Sequence, residues 1–373
     1  MSRTAVIPLG SFHLSGGVKV LIRLATGLIR RGWAVRFLVP DYGSQSPLPL
    51  EQGISVQVVG CGPASWPKPL RQFLYYLKLC RLSARGADLI LANYYLTAYC
   101  AFFSSIGARP KPAILWYIQA YEAGSHGILA DAGFVSRGIR TILASVSYRL
   151  PLRIFCVSEW VKKRIGRKDA EVLHPPALDL SVFIPCGRSF GSDRLTIGVI
   201  GRKGKTKGYG DFLKALETLK EKEKIRILVV APGPPEVPLP TGCEAQAIRA
   251  QREDEMAAFY RRCDIFVLSS RMEGFPLPPL EAMACGCAVV TTDCGGMREY
   301  AKDGTNCLIV PAANPRALAQ AILRLLQDSS LRRKLIGGGQ ETAERFGWEP
   351  MLERFLGRIP IPAVPAQPQL MVK

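Results

Sequence analysis

Two successive series of alternating strand and helix patterns restrict the fold of this chain more than any other feature. The first opens with TAVIPLG at residues 4–10, an apolar run that predicts a strand and leads into a glycine-rich loop. A helix pattern that ends at Gly32 and a second apolar run, AVRFLVP at 34–40, follow. A strand, a glycine loop, a helix and a strand form a parallel crossover unit, so we expect an α/β fold with doubly wound parallel sheets covered on both faces.

The alternation stops at residues 174–194, a stretch rich in Pro, Gly and Ser that predicts a linker. A second series begins with LTIGVIG at 195–201. With 373 residues, the chain is longer than a single core usually supports, and we expect two similar domains. The predicted boundaries are 1–180 for the N-terminal domain, 181–347 for the C-terminal domain and 348–373 for a helix and Pro-rich tail that return to the N-terminal domain.

The formal net charge of +19 favours an anionic partner. Residues 1–185 contain 22 basic and 9 acidic side chains, whereas 186–373 contain 27 and 21, so the N-terminal half has most of the excess. The chain shows no zinc-finger spacing, RNP-like motif or basic leucine zipper, which argues against nucleic acid. A phosphorylated substrate and an anionic membrane surface stay open as partners.

Two segments are relevant to the question of membrane association. Residues 67–86 predict an amphipathic basic helix, which can lie on an anionic bilayer or pack as an ordinary surface helix, and a second basic cluster follows at 162–168. Residues 89–108 contain no charge over the length of a membrane span, yet Asn93 divides them into a predicted strand and a predicted helix. We therefore expect a cytoplasmic protein without a transmembrane helix, with peripheral membrane contact as a hypothesis.

The cysteines predict neither disulfides nor a metal site. They number eleven, are spread along the chain, and lack CxxC spacing with a nearby His. No secretory signal precedes them, so we expect buried free thiols in a reducing compartment and no bound metal.

A basic glycine-rich loop at residues 198–212 is the first candidate for chemistry. Arg202 and Lys207 lie there between a predicted strand and a predicted helix, a place where open parallel sheets bind phosphate groups. The GKT at 204–206 does not form a Walker P-loop, because Val199 stands where that motif needs glycine. A solvated basic turn is the alternative.

Two glutamates eight residues apart form the second candidate. Glu273 lies in a predicted loop and Glu281 in the first turns of the helix that follows Pro278. A ligand that places a phosphate near the helix start and hydroxyls at the two carboxylates would be a nucleotide sugar. The backbone N–H groups expected to face the phosphate belong to three residues, Gly274, Phe275 and Leu277.

The run EGFPLPPLE with AMACG after it, at residues 273–286, resembles the E-x7-E signature of retaining glycosyltransferases of family 4. GGVKVLIRLATGLIRRGWAV, FCVSEWVKKRI and IGRKGKTKG are similar to other segments of that family, in the same order. The resemblance implies a GT-B fold of two Rossmann-like domains facing a cleft, with the nucleotide sugar bound mainly by the C-terminal domain and the acceptor mainly by the N-terminal domain.

When the functional residues of the family are matched to this sequence motif by motif, the resemblance implies that Arg202 and Lys207 bind the donor diphosphate. It also implies that Glu281 binds the ribose hydroxyls. It implies that Glu273 holds the transferred sugar, while Gly16 and Gly17 approach the donor from the opposite domain. No DxD-type metal pair lies near these motifs, which favours catalysis without a metal or other cofactor.

The chain departs from the family pattern at the end of the strand predicted in PAILWYIQAYE, residues 112–122, where members often have a histidine. Gln119 occupies that place, with Glu122 and His126 after it, and either Gln119 or Glu122 is a candidate to orient a sugar. Of the two other histidines, His13 lies in the first glycine loop, and His174 is expected to be structural.

The predicted function is a metal-independent retaining transfer of a sugar, a hexose or deoxyhexose, from a nucleoside diphosphate to a hydroxyl of a glycan or lipid-linked acceptor, in cell-surface polysaccharide or glycolipid synthesis. A glycoside hydrolase also uses two carboxylates but needs no phosphate clamp. A non-catalytic protein that binds nucleotide sugars or glycans on the same fold is the remaining alternative.

Overall fold

A computed structural model supplies the structure of the chain. It describes residues 3–12, 16–44, 46, 50–123, 134–175, 178–185, 194–204, 206–219, 225–231 and 237–359.

The first sheet belongs to the N-terminal half and is parallel throughout. Its seven strands lie in the order β3-β2-β1-β4-β5-β6-β7. Their bounds are β1 Thr4–Pro8, β2 Ala34–Pro40, β3 Ile54–Val59, β4 Leu89–Ala92, β5 Ala113–Ile118, β6 Arg153–Cys156 and β7 Glu171–Val172. The order reverses beside β1, and this is the point at which open α/β sheets bind ligands.

Helices cover both faces of this sheet, and a short 3-10 helix, Asp41–Gly43, follows β2. The bounds are α1 Gly16–Arg30, α2 Lys68–Leu82, α3 Tyr95–Ser104, α4 Phe134–Ser147 and α5 Glu159–Ile165. Helices α2, α3 and α4 pack side by side, and we call this layer the outer helical face. Right-handed crossovers put α1 on the opposite face of the sheet.

The second sheet is also parallel, with six strands in the order β10-β9-β8-β11-β12-β13. The strand bounds are β8 Leu195–Ile200, β9 Ile225–Ala231, β10 Glu244–Arg249, β11 Ile265–Leu268, β12 Ala288–Thr292 and β13 Leu308–Val310. Its helices are α6 Tyr209–Glu217, α7 Glu253–Arg261, α8 Pro278–Ala284, α9 Pro315–Gln327 and α10 Ser329–Glu344, with a 3-10 helix at Gly296–Glu299.

Both sheets are buried because their central strands have apolar residues on both faces. Every residue of β4 (LILA) and β11 (IFVL) is buried, as expected for strands that helices cover on both faces. A local capping signal also fixes the start of α9. The Asn314 side chain accepts a hydrogen bond from the Ala317 N–H there. The predicted α/β class with two doubly wound parallel sheets is therefore confirmed.

Two strands escaped the sequence reasoning. β10 (EAQAIR) is an edge strand without an apolar run, and it pairs with β9 only at the rim of the second sheet. β7 has two residues, too few for a periodic pattern. Within the described part of the chain, no helix has both the length and the apolarity to span a bilayer.

The last helix, α11 Trp348–Leu356, leaves the second sheet and packs against α1. Phe355 is fully buried, and its ring lies 5.0 Å from that of Tyr117 and 5.5 Å from that of Phe155. Helix α11 therefore completes the core built around the first sheet.

We expect Phe355→Ala to lower the free energy of unfolding by about 3–5 kcal/mol, because it leaves a cavity in a packed aromatic cluster. Urea denaturation followed by tryptophan fluorescence measures the change. Leu323→Ala is the control, since Leu323 is 37% exposed and should change the stability little. Equal effects of the two substitutions would contradict this account of α11.

Candidate active site

A cavity of about 660 Å³ lies between the two sheets, at the carboxyl ends of their central strands. Its wall includes all eleven residues that the sequence predicted for the site. These are Gly16, Gly17, Gln119, Glu122, Arg202, Lys207, Glu273, Gly274, Phe275, Leu277 and Glu281.

Glu273 lies in the loop before α8, and the backbone fixes its position. Its N–H donates to the Cys294 carbonyl at 2.8 Å, and its carbonyl accepts from the Gly296 N–H at 3.0 Å. The carboxylate Oε1 accepts from Lys207 Nζ and from Ser270 Oγ, each at 2.9 Å. Lys207 and Glu273, which the sequence assigned to separate motifs, are thus direct partners in the cleft.

The basic loop after β8 brings Lys207 to this position. Gly208 begins α6 with φ of 64°, and a Cβ there would lie 1.8 Å from the Ser269 carbonyl oxygen. Only glycine fits this close approach. Arg202 is half-buried and lines the same cavity one loop turn earlier.

Glu281 lies in the first turn of α8 and is held from two sides. Its Oε1 accepts from Lys19 Nζ at 2.8 Å, and its Oε2 accepts from the Tyr260 hydroxyl at 2.9 Å. Its side chain is 8% exposed. The sequence reasoning missed Lys19, Tyr260 and Ser270; only Lys19 offered a signal, as a cation among the apolar residues at the start of α1.

Glycine lets the two domains approach through their backbones. A Cβ on Gly274 would lie 2.1 Å from the Gln119 carbonyl oxygen. The Gln119 side chain turns to Gly17, and its Nε2 donates to the Gly17 carbonyl at 3.2 Å. Ser158 Oγ donates to the Gly274 carbonyl at 2.7 Å, so the N-terminal domain holds the loop that contains Glu273.

Aromatic packing anchors the same loop on its other side. The Phe275 ring lies 5.5 Å from the His174 ring and 5.4 Å from the Tyr300 ring. His174 Nε2 is hydrogen-bonded to Glu299 Oε2 at 2.9 Å, which agrees with a structural role for this histidine. His13 and His126 lie outside the described residues.

Glu122 forms the deep wall of the cavity and stabilises a helix start. Its carboxylate accepts from the Tyr95 N–H, at the first residue of α3, at 2.8 Å. Its own N–H donates to the Tyr148 hydroxyl at 3.0 Å. Burial raises the pKa of Glu122 to about 8, which favours its neutral form at pH 7. A contact between Glu122 and a sugar stays a prediction.

Cysteines and acidic residues assemble no metal site in the described ranges, where no group of three His, Cys, Asp or Glu is placed to hold an ion. Cys285, Cys287 and Cys294 are buried, as the sequence analysis expected.

Glu122→Gln tests the buried carboxyl. The pKa of Glu122 rises from the ordinary 4.5 to about 8 on folding, so its contribution to stability is complete below pH 4.5 and is lost as the pH approaches 8. Between about pH 5 and pH 8, the free energy of unfolding should therefore fall less for the variant than for the wild type. Glu349→Gln, at a side chain that is 55% exposed, should keep the wild-type pH profile. Parallel profiles for wild type and Glu122→Gln would refute a neutral buried acid.

Comparisons with known proteins agree with this geometry. The family model described as Glycosyltransferase Family 4 matches residues 14–176, and the one described as Glycosyl transferases group 1 matches residues 194–328. N,N'-diacetylbacillosaminyl-diphospho-undecaprenol alpha-1,3-N-acetylgalactosaminyltransferase of Campylobacter jejuni is 32% identical over 270 residues, which are 66% of this chain and 71% of that protein.

Among solved structures, sucrose-phosphate synthase of Thermosynechococcus elongatus superposes with a TM-score of 0.80 at 18% identity, over 95% of this chain and 98% of the other. HepE of Anabaena, solved in complex with UDP-glucose, gives a TM-score of 0.70 at 16% identity, over the same 95% and 98%. At these identities the likeness shows the fold.

Other curated relatives match only in part: the aligned stretches cover 27%, 21% and 50% of the length of three of them. The matched models span both domains, and the Campylobacter jejuni relative aligns across most of its length. The resemblance read from the motifs is confirmed, while retention and the role of the two signature glutamates stay predictions. The chain belongs to glycosyltransferase family 4 and has the GT-B fold.

Proposed function

We propose that this glycosyltransferase transfers a sugar, a hexose or deoxyhexose, from a nucleoside diphosphate to a hydroxyl of a glycan or lipid-linked acceptor. It retains the anomeric configuration, needs no metal, and serves cell-surface polysaccharide or glycolipid synthesis. One observation supports this most strongly: Glu273 contacts Lys207 in an interdomain cavity that Arg202 and Glu281 also line. Cations that can bind a diphosphate therefore lie beside carboxylates that can accept hydrogen bonds from sugar hydroxyls.

The donor fits the cleft by charge and by hydrogen-bond type. Arg202 and Lys207 bind the diphosphate, because a guanidinium fork and an ammonium are the side chains that best pair with phosphate oxygens. Glu281 accepts hydrogen bonds from the ribose, and Glu273 from the transferred sugar. The UDP-glucose bound to HepE supports a nucleotide-sugar donor for this fold.

Backbone groups complete the donor site. Gly274, Phe275 and Leu277 lie in the loop before α8, at the wall of the cavity. We propose that their backbone N–H groups bind the donor phosphates. Gly16 and Gly17 approach the donor from the opposite domain. Because glycine has no side chain, these two residues leave room for the reacting centre. A Cβ on Gly16 would already lie 3.2 Å from Leu277 Cδ1.

Transfer proceeds on one face of the sugar. The acceptor oxygen bonds to the anomeric carbon as the bond from that carbon to the diphosphate breaks, and the acceptor proton passes to the departing phosphate. Lys207 and Arg202 stabilise the negative charge that develops on the leaving group, a role that a metal has in other transferases. Gln119 orients the acceptor or the donor sugar beside Gly17, and Glu122 supports that wall from below.

The outer helical face favours an acceptor at a membrane. On α4, four large apolar side chains point to solvent, spaced so that they share one side of the helix: Ile139, Ile142, Leu143 and Val146, exposed by 54%, 63%, 39% and 46%. The opposite side of α4 buries the small residues Ala144 and Ser147. An ordinary surface helix shows the reverse pattern.

Neighbouring helices extend this apolar surface. On α2, Leu70, Phe73 and Leu77 are 43%, 63% and 44% exposed, and Phe103 of α3 is 52% exposed. The Tyr99 hydroxyl of α3 donates to the Leu143 carbonyl of α4 at 2.9 Å, which joins these two helices.

The sequences of α2, α3 and α4 contain six Lys or Arg and no Asp or Glu. Apolar side chains among cations are complementary to an anionic bilayer. We therefore propose that this face rests on the inner surface of the cytoplasmic membrane.

A screen of nucleotide sugars by thermal shift, followed by donor hydrolysis and transfer assays with and without EDTA, tests the activity. A bound donor should raise the melting temperature, and turnover should persist in EDTA. If no nucleotide sugar stabilises the protein, or if EDTA abolishes turnover, the donor class or the metal independence is wrong.

Three substitutions should distinguish residues that bind the donor from the residue that acts mainly in sugar transfer. Arg202→Ala and Glu281→Ala should weaken donor binding about 10- to 100-fold, because each removes hydrogen bonds that involve a charged group. Glu273→Ala should mainly lower kcat, by roughly 100-fold or more. Arg324→Ala and Glu344→Ala, both at exposed positions, are matched controls. Wild-type turnover in the first three variants would refute the site.

Flotation with vesicles of phosphatidylglycerol and phosphatidylcholine tests the membrane proposal. The wild type should float at low salt, whereas Ile142→Asp, which places a charge in the stripe, should not. Leu323→Asp, on the other domain, is the control. A wild type that stays in solution, or an Ile142→Asp variant that floats equally well, rules out this face as the docking surface. A change of oligomeric mass in Ile142→Asp without a change in flotation would identify it as a protein interface instead.

A further inference from the structure

Two basic side chains of α1 enter the cleft and meet carboxylates of the opposite domain. Lys19 Nζ lies 2.8 Å from Glu281 Oε1 and 2.6 Å from Glu253 Oε1. One turn later, Arg23 Nη2 lies 2.8 Å from each oxygen of Glu253. We call these four residues the cross-cleft network.

Three of the four residues of the network are buried, and the Glu253 side chain is 22% exposed. Lys19 and Arg23 are each 9% exposed, and Glu281 is 6% exposed. The Lys19 ammonium also lies 5.0 Å from the centre of the Phe183 ring. Buried charges must be paired, so separation of the domains would leave two cations and two carboxylates without these partners. The network therefore favours the closed position of α1 against the C-terminal domain.

Glu281 retains hydrogen-bonding capacity within the network. Among the residues that the structure describes, one donor reaches each of its oxygens, Lys19 at Oε1 and the Tyr260 hydroxyl at Oε2. Burial raises the pKa of Tyr260 well above its ordinary value, so this hydroxyl stays a donor. A carboxylate oxygen can accept two hydrogen bonds, and one position on each oxygen is left for a pair of neighbouring hydroxyls.

We propose that Lys19 is a positioning residue of the donor site, contributed by the domain opposite the one that binds the donor. It orients Glu281 for the two ribose hydroxyls, so full recognition of ribose requires a closed cleft. The inference rests on the proposed function, in which Glu281 binds the ribose. Lys19, Glu253 and Glu281 line the same cavity as Arg202 and Lys207, which places the network within reach of one ligand.

Calorimetric titration with a ribonucleotide and its deoxy form tests this role. The probe is whichever of UDP, GDP and ADP binds the wild type most tightly, together with the matching 2'-deoxynucleoside diphosphate. Lys19→Met should weaken binding of the ribonucleotide about tenfold and bring it close to that of the deoxy form. Lys19→Arg should recover most of the difference, and the affinity for inorganic pyrophosphate should be the same in all three proteins.

Controls separate this role from a general loss of structure. Arg30→Met changes an exposed cation of the same helix and should bind both nucleotides as the wild type does. Lys19→Gln provides a second neutral side chain if Lys19→Met does not fold. A neutral variant with an undiminished ribose preference, or with tighter binding of the ribonucleotide, overturns the role of Lys19 and leaves the proposed function intact. A wild type that binds none of the three nucleotides overturns both.

Discussion

The geometry of the cleft depends on one contact, the approach of the Gly274 backbone to the backbone of Gln119. A side chain at 274 would collide with the Gln119 carbonyl, and one at 296 would lie 1.7 Å from the Gly274 carbonyl oxygen. Three backbone segments therefore stack without intervening side chains. This contact brings Glu273, one residue before Gly274, to the edge of the N-terminal domain, and it places Gln119 at the edge of the C-terminal one.

Charge pairing within the cleft follows from that approach. A site for a nucleotide sugar needs cations for phosphate and carboxylates for hydroxyls, and such groups cannot stay buried and unpaired. Here they neutralise each other: Lys207 contacts Glu273, and Lys19 contacts Glu281. Under the proposed function, a donor exchanges one set of hydrogen bonds for another and does not have to stabilise charges that were unpaired before it entered.

Local patterns predicted the fold and eleven residues that line the cavity, because parallel strands, glycine loops and helix starts are encoded within a few residues. The Lys19 contact with Glu281 joins positions 262 apart, and no short-range pattern indicates it. Periodicity showed which residues share one side of a helix but not which side faces inward. The stripe of α4 was therefore missed, and the exposure of α2 stayed open. The burial of Glu122 is likewise a tertiary property.

The return of α11 to the first domain has a mechanical consequence. The chain crosses between the domains twice, and the crossings touch: the Trp348 N–H donates to the Leu178 carbonyl at 2.8 Å, beside a bridge between Leu178 and Gly347. Because the two covalent connections touch, they hold the domains together at this place, and we expect any opening of the cleft to be a rotation about it. After a single cut in the linker, the two halves would be held together by the packing of α11 against the core of the first sheet.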